Sequence, residues 1–335
     1  MASIFDNTAI FNPEVFRKAL ENILSTEKTE LVNAFTRNGD PELARMFPEQ
    51  AGGNVATIVI EGNLGDNEQN YDGSTTIVPT GVLNYSQKVI AVGRVHSWKE
   101  KDFIPSISGR SGLDAQAYQV AMRKLLAIKK VGLSTLKGLF SSGGVLASKV
   151  KSVSTVAATD GNDAIVAAAG DLGEEFDLCV MDSYYAGQLA NLKLLDYAKY
   201  TDVNGIERYD QRIGYWGGRL VLIDDAVGTN SGASATVHNV YFFGFRSWKY
   251  TELEVKYPFE MARDSFTAGG VDSLIARQRF VLAPYGVSWK GSSSIVSPTN
   301  AQLETVSNWE LVEDANGTDI DTKIIPFAAI QLTIA

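Results

Sequence analysis

The sequence predicts a mixed α+β chain, and three stretches carry that prediction. Residues 113 to 140 repeat apolar side chains at helical spacing: Leu113, Ala117, Val120, Ala121, Leu125, Ile128, Leu136 and Leu139. Residues 54–62 and 81–98 alternate β-branched and polar residues on either side of a Gly/Asn/Asp-rich insert. Near the C-terminal end, "RFVLAPYGVSWKG" (279–291) sets an alternating run against a Pro-Tyr-Gly turn, and a second alternation leads to Trp289. A chain of 335 residues exceeds one minimal core and is expected to hold one elaborate domain or two.

Taken in order, the first element is a helix. In "FNPEVFRKALENILSTEKTELV" Asn12 stands as N-cap, Pro13 at the first helical position and Glu14 in the first turn. Val15, Phe16, Ala19, Leu20, Ile23 and Leu24 form its apolar stripe, which suits an arm lying on another part of an assembly. The strand pair 54–62 and 81–98 follows, joined by a long polar tip that holds Glu61, Asp66, Glu68 and Asp72 but no Lys or Arg. The 113–140 helix comes next, with Gly132 interrupting it at about 1 kcal/mol relative to alanine. Residues 163–176 read as a further helix. "DLCVMDSYYAGQLANLKLLDY" reads as a buried strand leading into a helix that carries Leu189, Leu192 and Leu195. "RIGYWGGRLVLIDDAVG" is expected as a strand ending at paired aspartates, "VHNVYFFGFRSWKYTELEVKYPFEMARD" as two strands, and "KIIPFAAIQLTIA" as a last apolar strand.

Composition excludes several classes of function. Hydrophobic residues at 45% and charged residues at 21% describe an ordinary globular chain. A net charge of −9 argues against a dedicated nucleic-acid binder, which relies on Lys/Arg patches. Cys179 is the only cysteine, so no internal disulfide forms, and its apolar setting "FDLCVM" predicts a buried inert thiol. No secretory signal is visible at the N-terminus, and no segment reaches the ~18 apolar residues of a membrane span.

The vocabulary of catalysis is sparse. His96 and His238 are the only histidines and both sit among strand residues, so neither a His/Cys zinc site nor a Ser-His-Asp triad has candidates. "FSSGGVLASKV" lacks the Gly-Lys-Ser/Thr end of a phosphate loop, and "GRSG" lacks the spacing of a nucleophile elbow. Asp224 and Asp225 are best read as strand termination and turn capping, with a divalent cation or acid-base pair as the alternative. Trp98, Trp216, Trp248, Trp289 and Trp309 suit core or interface packing better than base stacking, given the acidic balance. No cofactor and no metal are expected.

The order of these segments resembles the major capsid proteins of tailed bacteriophages with the Hong Kong 97-like fold. The resemblance rests on the N-terminal helix, the hairpin, "SWKEKDF" (97–103), the long helix, "FDLCVMDSYYAGQL", "YWGGRLVLIDDAV", "LEVKYPFEMARDSFTAGGVDSLIARQRF" and the Tyr-Gly-x-x-Trp turn, and spans nearly the whole chain. It implies an N-arm (1–50), an extended loop (51–98), a peripheral domain (99–140 and 250–283) and an axial domain (141–249 and 284–335). It also implies hexamers and pentamers closing an icosahedral shell around double-stranded DNA, in a virion assembled in the host bacterial cytoplasm. A portal, a separate scaffolding protein (no fused scaffold segment precedes the coat) and a decoration or cement protein are the further partners; no membrane is involved.

Under that resemblance the acidic finger faces a neighbouring subunit, with Glu61, Asp66, Glu68 and Asp72 set against Lys99, Lys101, Arg110, Arg123 or Lys124. Such exposed pairs are worth only ~0–1 kcal/mol each but repeat at every symmetry-related contact. Unchanged assembly after swapping the finger's carboxylates to lysine would end this pairing. Some family members cross-link a loop lysine to a neighbour's asparagine; here residues 61–87 hold no lysine, so no cross-link is expected and a denaturing gel of particles should show no ladder. Two other readings are a nanocompartment shell of the encapsulin kind and a cytosolic α/β enzyme running on Asp224 and Asp225.

Overall fold

The computed structural model describes residues 28–49, 54–62, 68–79, 81–101, 117–201, 207–231, 235–267, 269–292 and 294–334. Most of the expected N-terminal helix lies outside them. In chain order the elements are α1 (Glu30–Phe35), α2 (Pro41–Glu49), β1 (Val55–Glu61), β2 (Asn84–Lys101), α3 (Ala117–Phe140), β3 (Val150–Val153) and α4 (Asp160–Ala169). Then come β4 (Phe176–Met181), α5 (Ser183–Asn191), β5 (Asp196–Thr201), β6 (Glu207–Trp216), β7 (Arg219–Ile223), β8 (Thr229–Ser231), β9 (Ala235–Gly244), β10 (Trp248–Leu253), β11 (Phe259–Asp264) and β12 (Val271–Pro284). The chain closes with β13 (Val287–Trp289), α6 (Asn300–Glu304), β14 (Trp309–Leu311), β15 (Glu313–Asp314) and β16 (Phe327–Ile334).

Two compact units result. The first contains the described residues within 28–32, 93–129 and 254–279, and the second those within 33–92, 130–253 and 280–334. In the first, Val120, Leu274 and Ala276 make a small core with Trp98 against it. The Gln278 side-chain amide donates to the Lys124 carbonyl at 3.1 Å, tying β12 to α3.

The second unit is built on an eight-stranded mixed sheet, ordered β3-β16-β9-β4-β7-β6-β5 with β8 on β9. Its central strands are buried on both faces, which is why β4 and β16 read as nearly unbroken apolar runs. Alternation along β9 assigns the faces. Val240 and Phe242 join Cys179, Tyr185, Leu189 and Ile330 in one cluster. Tyr241 meets Phe140 (centroids 5.5 Å), and Phe243 meets Phe35 (6.2 Å) and Trp248 (6.3 Å), with Phe327 5.4 Å from Trp248. The pairs of Phe243 with Phe35 and Trp248, and of Trp248 with Phe327, are edge-on, and such pairs add about 0.5–1.5 kcal/mol each beyond their buried area. Cys179 is fully buried and its thiol is pushed well above the ordinary range by desolvation, as its setting predicts.

The long helix departs from its expected stripe. Leu113 lies outside the described residues, and Ala121 and Leu125 are exposed. From Leu126 to Phe140 the helix is instead buried on nearly every side, so a single-face period does not describe it. Gly132 is explained by the same enclosure: a Cβ there would come within 2.6 Å of the Phe35 ring, itself fully buried. The glycine's weak helix propensity is the cost of admitting an aromatic ring against the helix backbone.

Three other expectations are corrected. Residues 207–223 form a hairpin, β6 and β7 paired from Gly214↔Val221 to Trp216↔Arg219 across Gly217-Gly218, and not one strand. Residues 235–264 contain three strands, because Phe245–Ser247 and Glu254–Pro258 each interrupt the run. Leu192 falls at the C-cap of α5 and is 49% exposed, while Leu189 carries the packing.

The Pro-Tyr-Gly turn is real and tightly held. β12 ends in buried Phe280–Ala283, and Tyr285-Gly286 reverses the chain with Gly286 at φ 78°, a left-handed conformation that glycine adopts without penalty. β13 then pairs with β14, placing Trp289 opposite Trp309 with their rings 5.1 Å apart and nearly perpendicular. From β2, the buried Gln87 donates through Nε2 to the carbonyls of Pro284 (2.6 Å) and Val287 (2.8 Å), one on each side of the turn. Gln87→Leu removes both donors and leaves two buried carbonyls unpaired, a loss of about 2–4 kcal/mol. The urea midpoint of the unassembled subunit should fall accordingly; an unchanged midpoint would show the clamp to be idle.

Candidate assembly surfaces

β1 and β2 pair antiparallel from Val55↔Ile90 to Glu61↔Asn84, forming the base of a finger within the second unit. The base is anchored by Ala56, Ile58, Val89 and Ala91, which pack on Leu43 and Phe47 of α2. Above it the connection has its own internal order. The Asp72 carboxylate accepts from the backbone N–H groups of Ser74 (2.9 Å) and Thr75 (2.7 Å), from the Thr75 hydroxyl (2.9 Å) and from Asn70 (3.1 Å). These bonds, the backbone ones first, hold it well below the usual carboxylate range. The Gln69 amide imitates a strand across the loop, donating to the Val78 carbonyl (2.7 Å) and accepting from its N–H (2.8 Å).

Around this polar frame the finger presents apolar side chains to solvent. Tyr71 is 93% exposed, Ile77 67% and Val78 64%. The first unit carries a comparable surface: every residue of β11 is exposed, with Phe259, Met261 and the wholly exposed Phe266 along its hairpin. That hairpin is stiffened by cross-strand ion pairs, Arg263 with Asp272 (3.0 Å) and Arg277 with Glu260 (2.8 Å), and by Lys124 lying 4.1 Å from the Phe259 ring centroid. Exposed apolar groups on rigid, hydrogen-bonded projections mark surfaces meant to be covered.

The charged residues singled out from the sequence divide between the units. Glu61, Glu68 and Asp72 are exposed in the second, with Asp72 engaged by its own turn. Lys99 and Lys101 are exposed on one face of β2, and Arg123 and Lys124 are neighbours on α3, all in the first. Asp66 and Arg110 lie outside the described residues. Charge alone drew attention to these positions; the apolar Tyr71, Ile77, Val78 and Phe266 were missed. Their signal was hydrophobic side chains inside segments otherwise rich in Gly, Asp, Ser and Thr.

Asp224 and Asp225, the carboxylates weighed for chemistry, act as caps, as does Asp182 beside them. Asp224 accepts from the Ala226 N–H (3.0 Å), Asp225 from the Ser183 N–H (2.9 Å), and Asp182 from the Tyr185 N–H (3.0 Å) at the start of α5 while pairing with His238 Nδ1. His238 is stacked on Tyr184 at 4.3 Å, and His96 on Trp98 at 5.8 Å. Among the described residues no group of three or more His, Cys, Asp or Glu is placed to hold a metal ion. No helix among them is long and apolar enough to cross a membrane.

The described residues thus form a mixed α+β chain with a hydrogen-bonded finger, a long helix and a central sheet whose aspartates cap helix and turn starts. No family model matches the sequence. The chain is 24% identical to the major capsid protein of Bacillus phage SPP1 over 311 residues, 90% of this chain and 92% of that one. Its fold matches the acidic stable capsid of Helicobacter pylori bacteriophage KHP30, covering 100% of this chain and 99% of that one (11% identity, TM-score 0.52). It also matches the capsid of cyanophage P-SCSP1u, covering 94% and 91% (11% identity, TM-score 0.54). The chain is thus similar in sequence to a phage major capsid protein, and its mixed α+β fold is that of phage capsid structures, in keeping with the Hong Kong 97-like fold.

Proposed function

We propose that this chain is the coat subunit of a tailed double-stranded DNA phage, assembling as hexamers and pentamers into a closed icosahedral head. The observation that carries the reading is the match to the SPP1 major capsid protein along nine-tenths of the chain. In this reading residues 1–50 are the N-arm, 51–98 the extended loop, 99–140 and 250–283 the peripheral domain, and 141–249 and 284–335 the axial domain. Its role in this reading is structural and not enzymatic, which the capping bonds accepted by Asp224 and Asp225 support. The shell encloses DNA without reading its sequence, consistent with a net charge of −9. A scaffolding protein, a portal and a cement protein are its partners, and assembly takes place in the bacterial cytoplasm.

Across subunits, the apolar finger supplies most of the contact energy and charge supplies register. Glu61 and Glu68, and Asp66 with them, face Lys99, Lys101, Arg110, Arg123 or Lys124 of a neighbour, while Asp72 keeps the finger's shape. Electron microscopy of the purified recombinant chain, with size-exclusion chromatography alongside, tests the reading. Shells, tubes or capsomer rings are expected, alone or with scaffolding protein. A chain that stays monomeric or dimeric even with its scaffold would overturn the proposal.

A further inference from the structure

The second unit contains a cavity that shell formation does not explain. It lies at the end of the central sheet where β6 turns into β7, beside the first turn of α4, and measures about 150 Å³. An apolar cavity of roughly this size holds a benzene ring. Its walls are mixed, with the flat rings of Trp216 and Phe242 and the side chain of Leu194 beside polar surface. Asn162 and Arg219 are its polar groups.

Arg219 is the unusual member. Among the described residues its guanidinium makes one hydrogen bond, from Nη1 to the Gly217 carbonyl at 3.2 Å. Its Nε is buried with no acceptor. Among the described residues no carboxylate lies within ion-pair distance of it. Cys179, which interacts with it electrostatically, is buried and stays a neutral thiol. Nearby acids are already taken: Lys151 holds Asp160 (3.0 Å) and Asp163 (2.7 Å). The first turn of α4 borders the cavity through Gly161 and Asn162. A half-buried guanidinium fork with unused donors is matched by one kind of partner, an ionised planar oxyanion that accepts two parallel N–H bonds.

We propose that this cavity is a binding site for a carboxylate carried on a short, flat apolar body, the carboxylate meeting Arg219 and the body lying against Trp216 and Phe242. The carboxylate comes either from a free small aromatic acid, whose ring is the flat body, or from an Asp or Glu of a neighbouring copy in the assembled shell, whose short methylene stem lies against the same wall. The site is independent of the coat-protein reading, and its test needs only the folded chain. Full-length protein labelled with 5-fluorotryptophan, with Trp216 assigned through Trp216→Phe, is titrated with sodium benzoate and separately with benzyl alcohol. Benzoate should shift the Trp216 fluorine resonance saturably, with millimolar or tighter affinity. Benzyl alcohol, of the same shape but uncharged, should bind at least tenfold more weakly, and Arg219→Gln should weaken benzoate by a similar factor. No benzoate-dependent shift, or equal binding of the two ligands by the unmodified chain, would overturn the proposal. Repeating the titration on assembled particles separates the sources. Binding by both forms indicates a free acid, and binding by the unassembled chain alone indicates that a neighbour already fills the pocket.

Discussion

Replacing Tyr71, Ile77 and Val78 together by serine should leave the subunit folded and abolish closed shells. All three side chains project from a finger whose shape is held by other groups, the Asp72 turn and the Gln69 side-chain bonds to the Val78 backbone, so their loss costs the monomer little. If a neighbouring subunit covers them, each contributes about 1.5–3 kcal/mol on burial. Even half of that sum per contact lowers its equilibrium constant by roughly 10²–10³, and the loss repeats at every copy around a shell. Sedimentation and electron microscopy read the outcome directly, and thermal melting of the unassembled subunit checks that it is intact. Normal particles from the triple variant would mean that the finger's apolar surface is not an assembly contact.

Lys149→Met should change how stability depends on pH. Lys149 is 4% exposed, donates from Nζ to the Ile325 carbonyl at 2.6 Å, and has its pKa lowered by desolvation from 10.5 to about 8, with Asp321 opposing the shift. At 1.36 kcal/mol per unit, keeping this lysine charged at neutral pH costs about 3 kcal/mol relative to the unfolded chain. Between pH 8 and 10.5 the unfolded lysine binds more protons than the folded one, so this cost is relieved as pH rises. Methionine carries no such cost, though it forfeits the bond to Ile325, about 1 kcal/mol. The variant should therefore be the more stable protein at pH 7, and its advantage should shrink by about 3 kcal/mol and reverse by pH 10.5. Urea midpoints at pH 7, 9 and 10.5 measure the difference; a gap that stays constant would show that folding leaves the Lys149 pKa unshifted.

Local pattern carried much of the fold. The two finger strands, the helix over 117–140, the buried strands around Cys179 and over 327–334, and the turn at Tyr285-Gly286 were legible because each depends on neighbours in sequence: alternation, helical spacing, a positive-φ glycine. The errors arose where the deciding partner is remote. Gly132 looked like a flaw in a helix until Phe35, nearly a hundred residues earlier, was found against it. Leu125 and Leu192 fit helical spacing, but the packing that would have covered them is absent from those faces. The hairpin at Gly217-Gly218 was read through because apolar residues stand on both sides of the glycines, Tyr215-Trp216 before them and Leu220–Ile223 after.

The same division holds for the candidate surfaces. Composition and spacing determined that this is a globular, disulfide-free, histidine-poor chain without catalytic motifs, and the order of its segments determined its resemblance to phage coats. Only the tertiary structure decided which residues are used. Gln87 clamps a turn two hundred residues away, Asp72 is bound by its own loop, Tyr71 and Ile77 stand in solvent, and Arg219 is left with unused donors beside an aromatic wall. The physical reason is that burial and hydrogen-bond pairing are properties of a residue's surroundings. Those surroundings are assembled from segments far apart in the chain, while alternation and turn chemistry are settled within a few residues.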